Sequence, residues 1–472
     1  MILDKSSYFL LGIKGAAMAN IAVMLRQMGK HVSGVDVAEE FITDATLATA
    51  GITFSTDFND LNQVKDFDVF VYSAAHQGAD NPLALAAKKA GKTVISQPAL
   101  IGELLSTFRT SIAVAGCHGK TTTSSLLAYA LAHADKDPSY LIGAPPFGGG
   151  GGGKMTKSDY FVVEADEYGV HPPKDKTPKL LFLRPAVALC TNIDFDHPDV
   201  YDSIEDTKKT FLQFFSQSTK LVLCGDDPQI RSLLPKLKDR LMRVYGTTDD
   251  CDYQIKQGTT TASGISFELC KYGVSQGVFQ TALFGQKNIL NAAGAVAVLL
   301  EVGLAPGIIR TAIAAFAGAK RRLETVWTDG TSYLIDDYGH HPAEIAATIA
   351  ALRSRFPAKK LHIIFQPHTF SRTEQLKDDF ITALSAADSV YLLPIFASAR
   401  ENAAQFTITS SLLSQHAMHR GIVTIVAFAD AATLLHKLQE SWHPGDVVVT
   451  LGAGDVYKLK NGIISTLNEK HT

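Results

Sequence analysis

Gly116, Gly119 and Lys120, followed by Thr121, Thr122 and Thr123, carry the clearest chemical signature in this 472-residue chain. They stand between an apolar run and a stretch of helix-forming residues, in the segment VAGCHGKTTTSS. Backbone N–H groups at a helix start have no partner within the helix and bind phosphate oxygens, and a glycine lets the backbone come close. A lysine there brings positive charge to the β- and γ-phosphates, and a threonine hydroxyl can ligate Mg2+. The common pattern G-x-x-x-x-G-K-[ST] asks for glycine at position 114. This chain has Val114, so either an outer glycine is lost or the loop follows another template.

A bound Mg2+ also needs carboxylates. Glu164, Asp166 and Glu167 end the apolar run 160–163, where a parallel sheet presents metal-binding acids. A solvated strand end is the plain alternative. His197 follows the run 187–190 and offers nitrogen to a second metal, although a single histidine is more often structural. Cys117, beside His118, is read as a small residue lining the loop rather than as a nucleophile. Gly12-Ile-Lys14-Gly15-Ala-Ala-Met follows the strand-like run 8–11, and Asp36 lies about 20 residues on, where an acid can reach a ribose. Taken alone, this turn is equally a strand-to-helix connection without a ligand.

The elements that must position these groups alternate. Strands are expected at 8–11, 31–35, 69–72 and 93–95, with a helix over 16–28. A second block starts near residue 111, with strands at 112–115, 160–163 and 187–190 and a helix over 122–132. Residues 220–285 read as β-rich and 288–302 as helix. A third block, from about residue 320, has strands at 333–335, 361–365, 389–393 and 447–450 and helices from Pro342 and from Thr373. Such alternation predicts an α/β fold of parallel sheets with helices on their faces. The six glycines at 148–153 interrupt the second block and are expected to form a mobile loop rather than a domain boundary.

The composition is that of a globular protein, 46% apolar and 19% charged, and its length requires several domains. A net charge of −3 without a dense basic block argues against nucleic acid as a partner. The N-terminus does not read as a signal peptide, and no apolar run is long enough to span a membrane. Five widely spaced cysteines fit neither a disulfide framework nor a structural zinc site, so a cytoplasmic location is expected.

Ten segments, in order, extend the signature over nearly the whole chain: GIKGAAM, AGCHGKTTT, FVVEADEY, TNIDFDHPDVY, GQKNILNAAGAVAV, GAKRRLE, DDYGHHPAEI, FQPHTFSRT, PIFASAREN and LGAGDVYKL. Together they resemble the Mur ligase family, whose phosphate loop lacks the outer glycine. The resemblance implies three domains: a Rossmann-like domain at 1–108, a central P-loop-type ATPase with a mostly parallel sheet at 109–318, and a Rossmann-like domain at 319–472. It implies an ATP-dependent ligase that adds L-alanine to the lactyl carboxylate of UDP-N-acetylmuramate through an acyl phosphate, a step of peptidoglycan precursor synthesis. A close alternative attaches a murein tripeptide to the same nucleotide. A dinucleotide-dependent oxidoreductase leaves the lysine loop unexplained, and a catalytically silent homologue is the third reading.

The same resemblance implies the site. Gly116, His118, Gly119, Lys120, Thr121, Thr122, Asn288, Asn291, Arg322 and Asp337 bind ATP. Thr121, Glu164 and His197 hold Mg2+, two ions in all, and Lys120, Glu164, His197 and Arg322 carry catalysis. Gly12, Lys14, Gly15, Asp36, Ser73 and His76 face the uridine nucleotide. Tyr338, His341 and Arg372 shape the alanine site, although His340 and His341 are equally a polar pair at a helix start. A monomer or homodimer that closes around its substrates is expected. The chain departs from many relatives at Lys287 (often histidine), Ala17 (often glycine) and Thr369 (often arginine), and the glycine run has no counterpart.

Overall fold

A computed structural model describes residues 2–143, 151–261, 263–397, 401 and 403–469. The chain forms two compact units. One comprises residues 1–258, 266–281 and 289–319; the other comprises 259–265, 282–288 and 320–472.

In the first unit, β1 (Ser7–Leu11), β2 (His31–Val35), β3 (Phe54–Ser55), β4 (Val69–Tyr72) and β5 (Thr93–Ser96) make a sheet in the order β3-β2-β1-β4-β5. All of its pairings are parallel. Strand order reverses beside β1, and such a reversal opens a crevice at the carboxyl ends of the strands. The glycine turn after β1 lies there.

The larger sheet contains β6 (Thr110–Ala115), β7 (Ser139–Leu141), β8 (Gly153–Lys154) and β9 (Tyr160–Ala165). After a small hairpin, β10 (Gly169–His171) and β11 (Asp175–Pro178), it continues with β12 (Val187–Cys190), β13 (Lys220–Cys224), β14 (Leu241–Gly246), β15 (Tyr253–Thr261), β16 (Gly264–Lys271) and β17 (Val274–Thr281). The order is β17-β16-β15-β14-β13-β12-β6-β9-β7-β8. Here β6 pairs in parallel with both β9 and β12, and Ala115 is level with Ala165 on one side and Cys190 on the other. The loop that leaves β6 is therefore flanked by whatever follows residues 165 and 190. That register brings together segments far apart in the chain.

Of the glycine run, residues 148–150 lie outside the described residues. Its end joins the sheet: Ile142 N–H donates to Gly152 O at 2.7 Å, and β8 pairs with β7. A Cβ on Gly153 would stand 2.8 Å from the Asn20 Cβ, so the missing side chain lets the helix Ala16–Gln27 pack against β8.

In the second unit β18 (Glu324–Thr328), β19 (Tyr333–Asp337), β20 (Leu361–Phe365), β21 (Ser389–Leu392), β22 (Ile425–Ala427) and β23 (Val447–Leu451) run in the order β18-β19-β23-β20-β21-β22. Only β18 is antiparallel to its neighbour. Alternate residues serve opposite faces. Leu361, Ile363, Phe365, Val447 and Val449 enter one core, while Ile364 and Val448 join Leu334 and Trp442 in the other. Both faces are buried, which is why these strands read as continuous apolar runs. The single helix expected from Thr373 is instead two, Phe370–Gln375 and Lys377–Leu384, broken at Leu376.

One carboxylate pins the β-rich part of the first unit. Glu301, at the end of the helix Gln286–Glu301, meets Lys220 and Lys271 at 2.9 Å each and Arg243 at 3.4 Å, and accepts from the Tyr253 hydroxyl at 2.7 Å. These partners lie on β13 to β16. Burial opposes the Glu301 charge, but Lys220, Tyr253 and Lys271 outweigh it and bring the pKa down to about 2. A folded value below the unfolded one stabilises above the usual glutamate range, and the contribution is lost as the pH falls from about 4.5 towards 2. Glu301→Gln is expected to cost about 2 kcal/mol at pH 7, less than a fully buried pair because the lysines are partly solvated. Denaturant titration checks this, and the gap from the parent should shrink below pH 4.5.

Candidate active site

The loop after β6 takes its shape from two glycines. Gly116 has φ 135° and Gly119 has φ 84°, both in the region that favours glycine. A Cβ on Gly116 would strike the Thr191 hydroxyl, and one on Gly119 would stand 2.6 Å from Asn291 Oδ1. Gly119 caps the helix Lys120–His133, which starts two residues earlier than expected and so puts Lys120 in its first turn. The segment after β12 grips the loop. Asn192 Oδ1 accepts from His118 N–H at 3.0 Å, and the Thr191 hydroxyl and Asn192 amide both donate to His118 O at 2.7 Å. His118 Nε2 lies 3.4 Å from Asp194. Cys117 Sγ and the Asp194 backbone exchange hydrogen bonds at 3.2 Å, and burial pushes the thiol well above its ordinary pKa. That fits a packing residue, not a nucleophile.

Lys120 Nζ donates to Gly116 O at 2.6 Å and to Glu167 Oε2 at 2.7 Å. Burial alone would lower the pKa of this ammonium, but Glu167 and Asp166 outweigh it and raise the pKa above that of an ordinary lysine. It therefore stays charged throughout the neutral range. Asp166 in turn pairs with Lys179 at 2.8 Å. Burial opposes its charge too, yet Lys179 and Lys120 hold its pKa below the usual carboxylate range.

Two oxygen-rich groups flank the loop. The Thr121 hydroxyl donates to Glu164 Oε2 at 3.2 Å, and Gly143 N–H donates to Glu164 Oε1 at 2.9 Å. Glu167, Asp196 and His197 each offer one ligand atom, and these atoms lie within 4.8 Å of one another. His197 sits at φ 61°, unusual for a non-glycine residue, with its ring edge-on to Tyr168. Two carboxylates and an imidazole are a donor set that would suit a divalent cation.

The six residues expected to face the uridine nucleotide converge at the β1 crevice. Asp36 accepts from Lys14 N–H at 2.7 Å and lies 3.0 Å from His76 Nε2. Burial opposes the Asp36 charge, but His76 and the backbone N–H groups of Lys14 and Val37 lower its pKa. A Cβ on Gly12 would stand 2.9 Å from Ser73 Oγ, and Gly15 N–H donates to Gly12 O at 3.2 Å. Lys14 is the exception in detail. Its ammonium donates to Glu39 O at 2.6 Å, pairs with Asp44 at 3.1 Å and sits over the Phe41 and Phe54 rings. It ties down the loop after β2.

In the second unit the Arg322 guanidinium lies 5.0 Å from the Tyr338 ring centroid. Both oxygens of Asp337 are engaged by the protein: Oδ2 by Leu323 N–H at 2.8 Å, Oδ1 by Gly339 N–H at 2.9 Å and the Thr348 hydroxyl at 3.1 Å. His341 caps the helix Pro342–Arg355 in a capping box with Glu344, which is the helix-start reading of this histidine. Arg372 is buried on the helix Phe370–Gln375. Asn291 is buried beside Gly119 in the first unit; Asn288 is half-buried in the second, and its amide donates to Phe284 O at 2.8 Å.

Three family descriptions match in sequence: "Mur ligase family, catalytic domain" at 8–109, "Mur ligase middle domain" at 114–299 and "Mur ligase, glutamate ligase domain" at 321–454. A UDP-N-acetylmuramate–L-alanine ligase of Desulfosudis oleivorans is 33% identical over 98% of this chain and 99% of its own. One of Lactiplantibacillus plantarum is 37% identical over 97% of this chain and 98% of its own. The chain belongs to the Mur ligase family.

Among solved Mur ligases, the UDP-N-acetylmuramate–alanine ligase of Thermotoga maritima has the same fold, with TM-score 0.79, 21% identity and coverage of 98% of this chain and 99% of its own. A murein peptide ligase of Psychrobacter arcticus has TM-score 0.74 at 22% identity, covering 98% of each chain. The sequence of this Mur ligase offered Glu164, Asp166 and Glu167 as metal-binding acids and assigned only Glu164; the pairing of Glu167 with Lys120 is seen in the structure. Sequence reasoning also passed over Asp196 and the grip of Thr191 and Asn192. The signal was the register of β6 between β9 and β12, which the sequence does not display.

Proposed function

We propose that this chain joins L-alanine to the lactyl carboxylate of UDP-N-acetylmuramate, converting ATP to ADP and phosphate. The observation that carries the reading is near-full-length identity of 33% to 37% to enzymes of that name. The lysine loop between two acid-bearing strand ends supplies the matching chemistry.

A carboxylate is a poor acyl donor because its leaving group would be oxide. A lactyl oxygen attacks the γ-phosphorus, the bond to ADP breaks, and an acyl phosphate results. The alanine amine then attacks the carbonyl carbon, a proton leaves the nitrogen, and the C–O bond to phosphate breaks. No nucleophile from the protein is needed; positioning and charge neutralisation carry the rate. Lys120 and the N–H groups after Gly119 hold the phosphates. Thr121 and Glu164 are assigned to one Mg2+, and His197, with Glu167 and Asp196, to a second. The ions neutralise phosphate charge and polarise the transferred group. Arg322, Asp337, Asn288 and Asn291 are assigned to ATP, and Tyr338, His341 and Arg372 to alanine, on motif grounds. The domain limits 1–108, 109–318 and 319–472 and a cytoplasmic location belong to the same proposal; the five free, buried cysteines fit a reducing compartment.

Phosphate release that requires ATP, Mg2+, UDP-N-acetylmuramate and L-alanine together is the expected result. Preference for L-Ala-γ-D-Glu-meso-diaminopimelate over L-alanine would move the chain to the tripeptide-adding reading.

A further inference from the structure

We infer that Glu401 is a positioning residue for Arg372, acting through the short helix Phe370–Gln375; this rests on the assignment of Arg372 to the alanine carboxylate. The first N–H groups of a helix have no partner inside it, and the residue before the helix usually supplies one. Thr369 does not. It has φ 71° and ψ 139°, a costly backbone for a β-branched residue, and its side chain makes no cap.

Glu401 takes over that task from 30 residues away. Its Oε2 accepts from Phe370 N–H at 2.7 Å and its Oε1 from Ser371 N–H at 3.2 Å, and the Ser371 hydroxyl also donates to Oε1. A carboxylate also complements the positive end of a helix. Arg372 is the next residue, 8% exposed, and Leu376 N–H closes the turn on its carbonyl at 3.0 Å.

Phe396 and Phe406 are anchored to the same segment. Phe396 N–H donates to Pro367 O at 2.8 Å, and Thr369 N–H donates to Phe396 O at 3.3 Å. The Phe396 ring stacks on His368 with centroids 5.6 Å apart, and Phe406 stacks on Phe370 at 5.9 Å. Gly454 makes room for this, since a Cβ there would stand 2.8 Å from Phe396 Cγ. Phe396, Glu401 and Phe406 thus hold residues 367–372 in place, and the carboxylate is the part of that grip nearest Arg372. Without it the strained Thr369 is free to relax, and the first turn that fixes the Arg372 backbone loosens.

The test is steady-state kinetics of the full-length enzyme with Glu401→Ala, Glu401→Gln, Arg372→Ala and the double variant Glu401→Ala/Arg372→Ala. Glu401→Ala is expected to raise the KM for L-alanine about tenfold, the scale of a lost charged cap, with the KM values for ATP and UDP-N-acetylmuramate within about twofold. Glu401→Gln, which keeps an acceptor oxygen, should fall between. In the Arg372→Ala background the loss of Glu401 should add nothing to the alanine KM. Faster amide hydrogen exchange over residues 367–376 in Glu401→Ala reads the cap independently of alanine. An unchanged alanine KM in Glu401→Ala, or a double variant whose losses multiply, overturns the inference. If Arg372→Ala itself leaves the alanine KM unchanged while exchange in Glu401→Ala is faster, the alanine-site assignment has failed and Glu401 is a cap only.

Discussion

Lys120→Ala is expected to lose turnover by about a thousandfold or more, while UDP-N-acetylmuramate still binds. The ammonium lies between Gly116 O and the Glu167 carboxylate, and its raised pKa keeps it charged in the neutral range. On the proposed role of Lys120, phosphate oxygens would replace Glu167, one anionic partner for another. Removing the lysine takes the ammonium from the buried Glu167 and leaves that carboxylate with the His197 ring at 3.5 Å, which costs stability as well as chemistry. Lys120→Met/Glu167→Gln separates the two effects: removing both charges should recover thermal stability without recovering turnover. Isothermal titration with the uridine nucleotide reports whether the β1 crevice is intact. A Lys120→Ala enzyme that hydrolysed ATP at the parent rate would remove Lys120 from the phosphate site.

Glu164→Gln is the second large effect. The amide has the shape of the carboxylate and can keep an oxygen towards Gly143 N–H, now 2.9 Å from Oε1. The negative charge is what disappears. On the proposed assignment of Glu164 to Mg2+, losing this carboxylate should lower kcat about a hundredfold and raise the half-saturating Mg2+ concentration about tenfold. Titrating activity against Mg2+ measures both. An unchanged Mg2+ dependence would mean that Glu164 only shapes the loop through Thr121.

Much of this was legible in the chain. Apolar runs such as LHIIF and VVVTL foretold buried strands, and Gly119-Lys120-Thr121 foretold a glycine turn leading into a helix, because those properties are local. Lys14 shows the limit. Its position in a glycine turn marked it as a ligand for the nucleotide, yet Glu39, Asp44, Phe41 and Phe54 claim its ammonium. Those partners come from the segment 39–44 and from β3, and no periodicity reveals that they meet. Glu167 was hidden for another reason. Three acids end β9, and the neighbouring strand, not the sequence, decides which of them meets Lys120. Asp337 and His341 were marked by their motif, and the structure adds that both also brace the turn between β19 and its helix.

Activation of the lactyl carboxylate by ATP is the central chemical claim, and oxygen-18 reads it most directly. UDP-N-acetylmuramate labelled in both lactyl carboxylate oxygens is turned over with ATP, Mg2+ and L-alanine, and the released phosphate is analysed by mass. One labelled oxygen in each phosphate is the predicted result, since the oxygen that attacked phosphorus leaves with it. Unlabelled phosphate alongside full formation of the labelled amide would contradict an acyl phosphate.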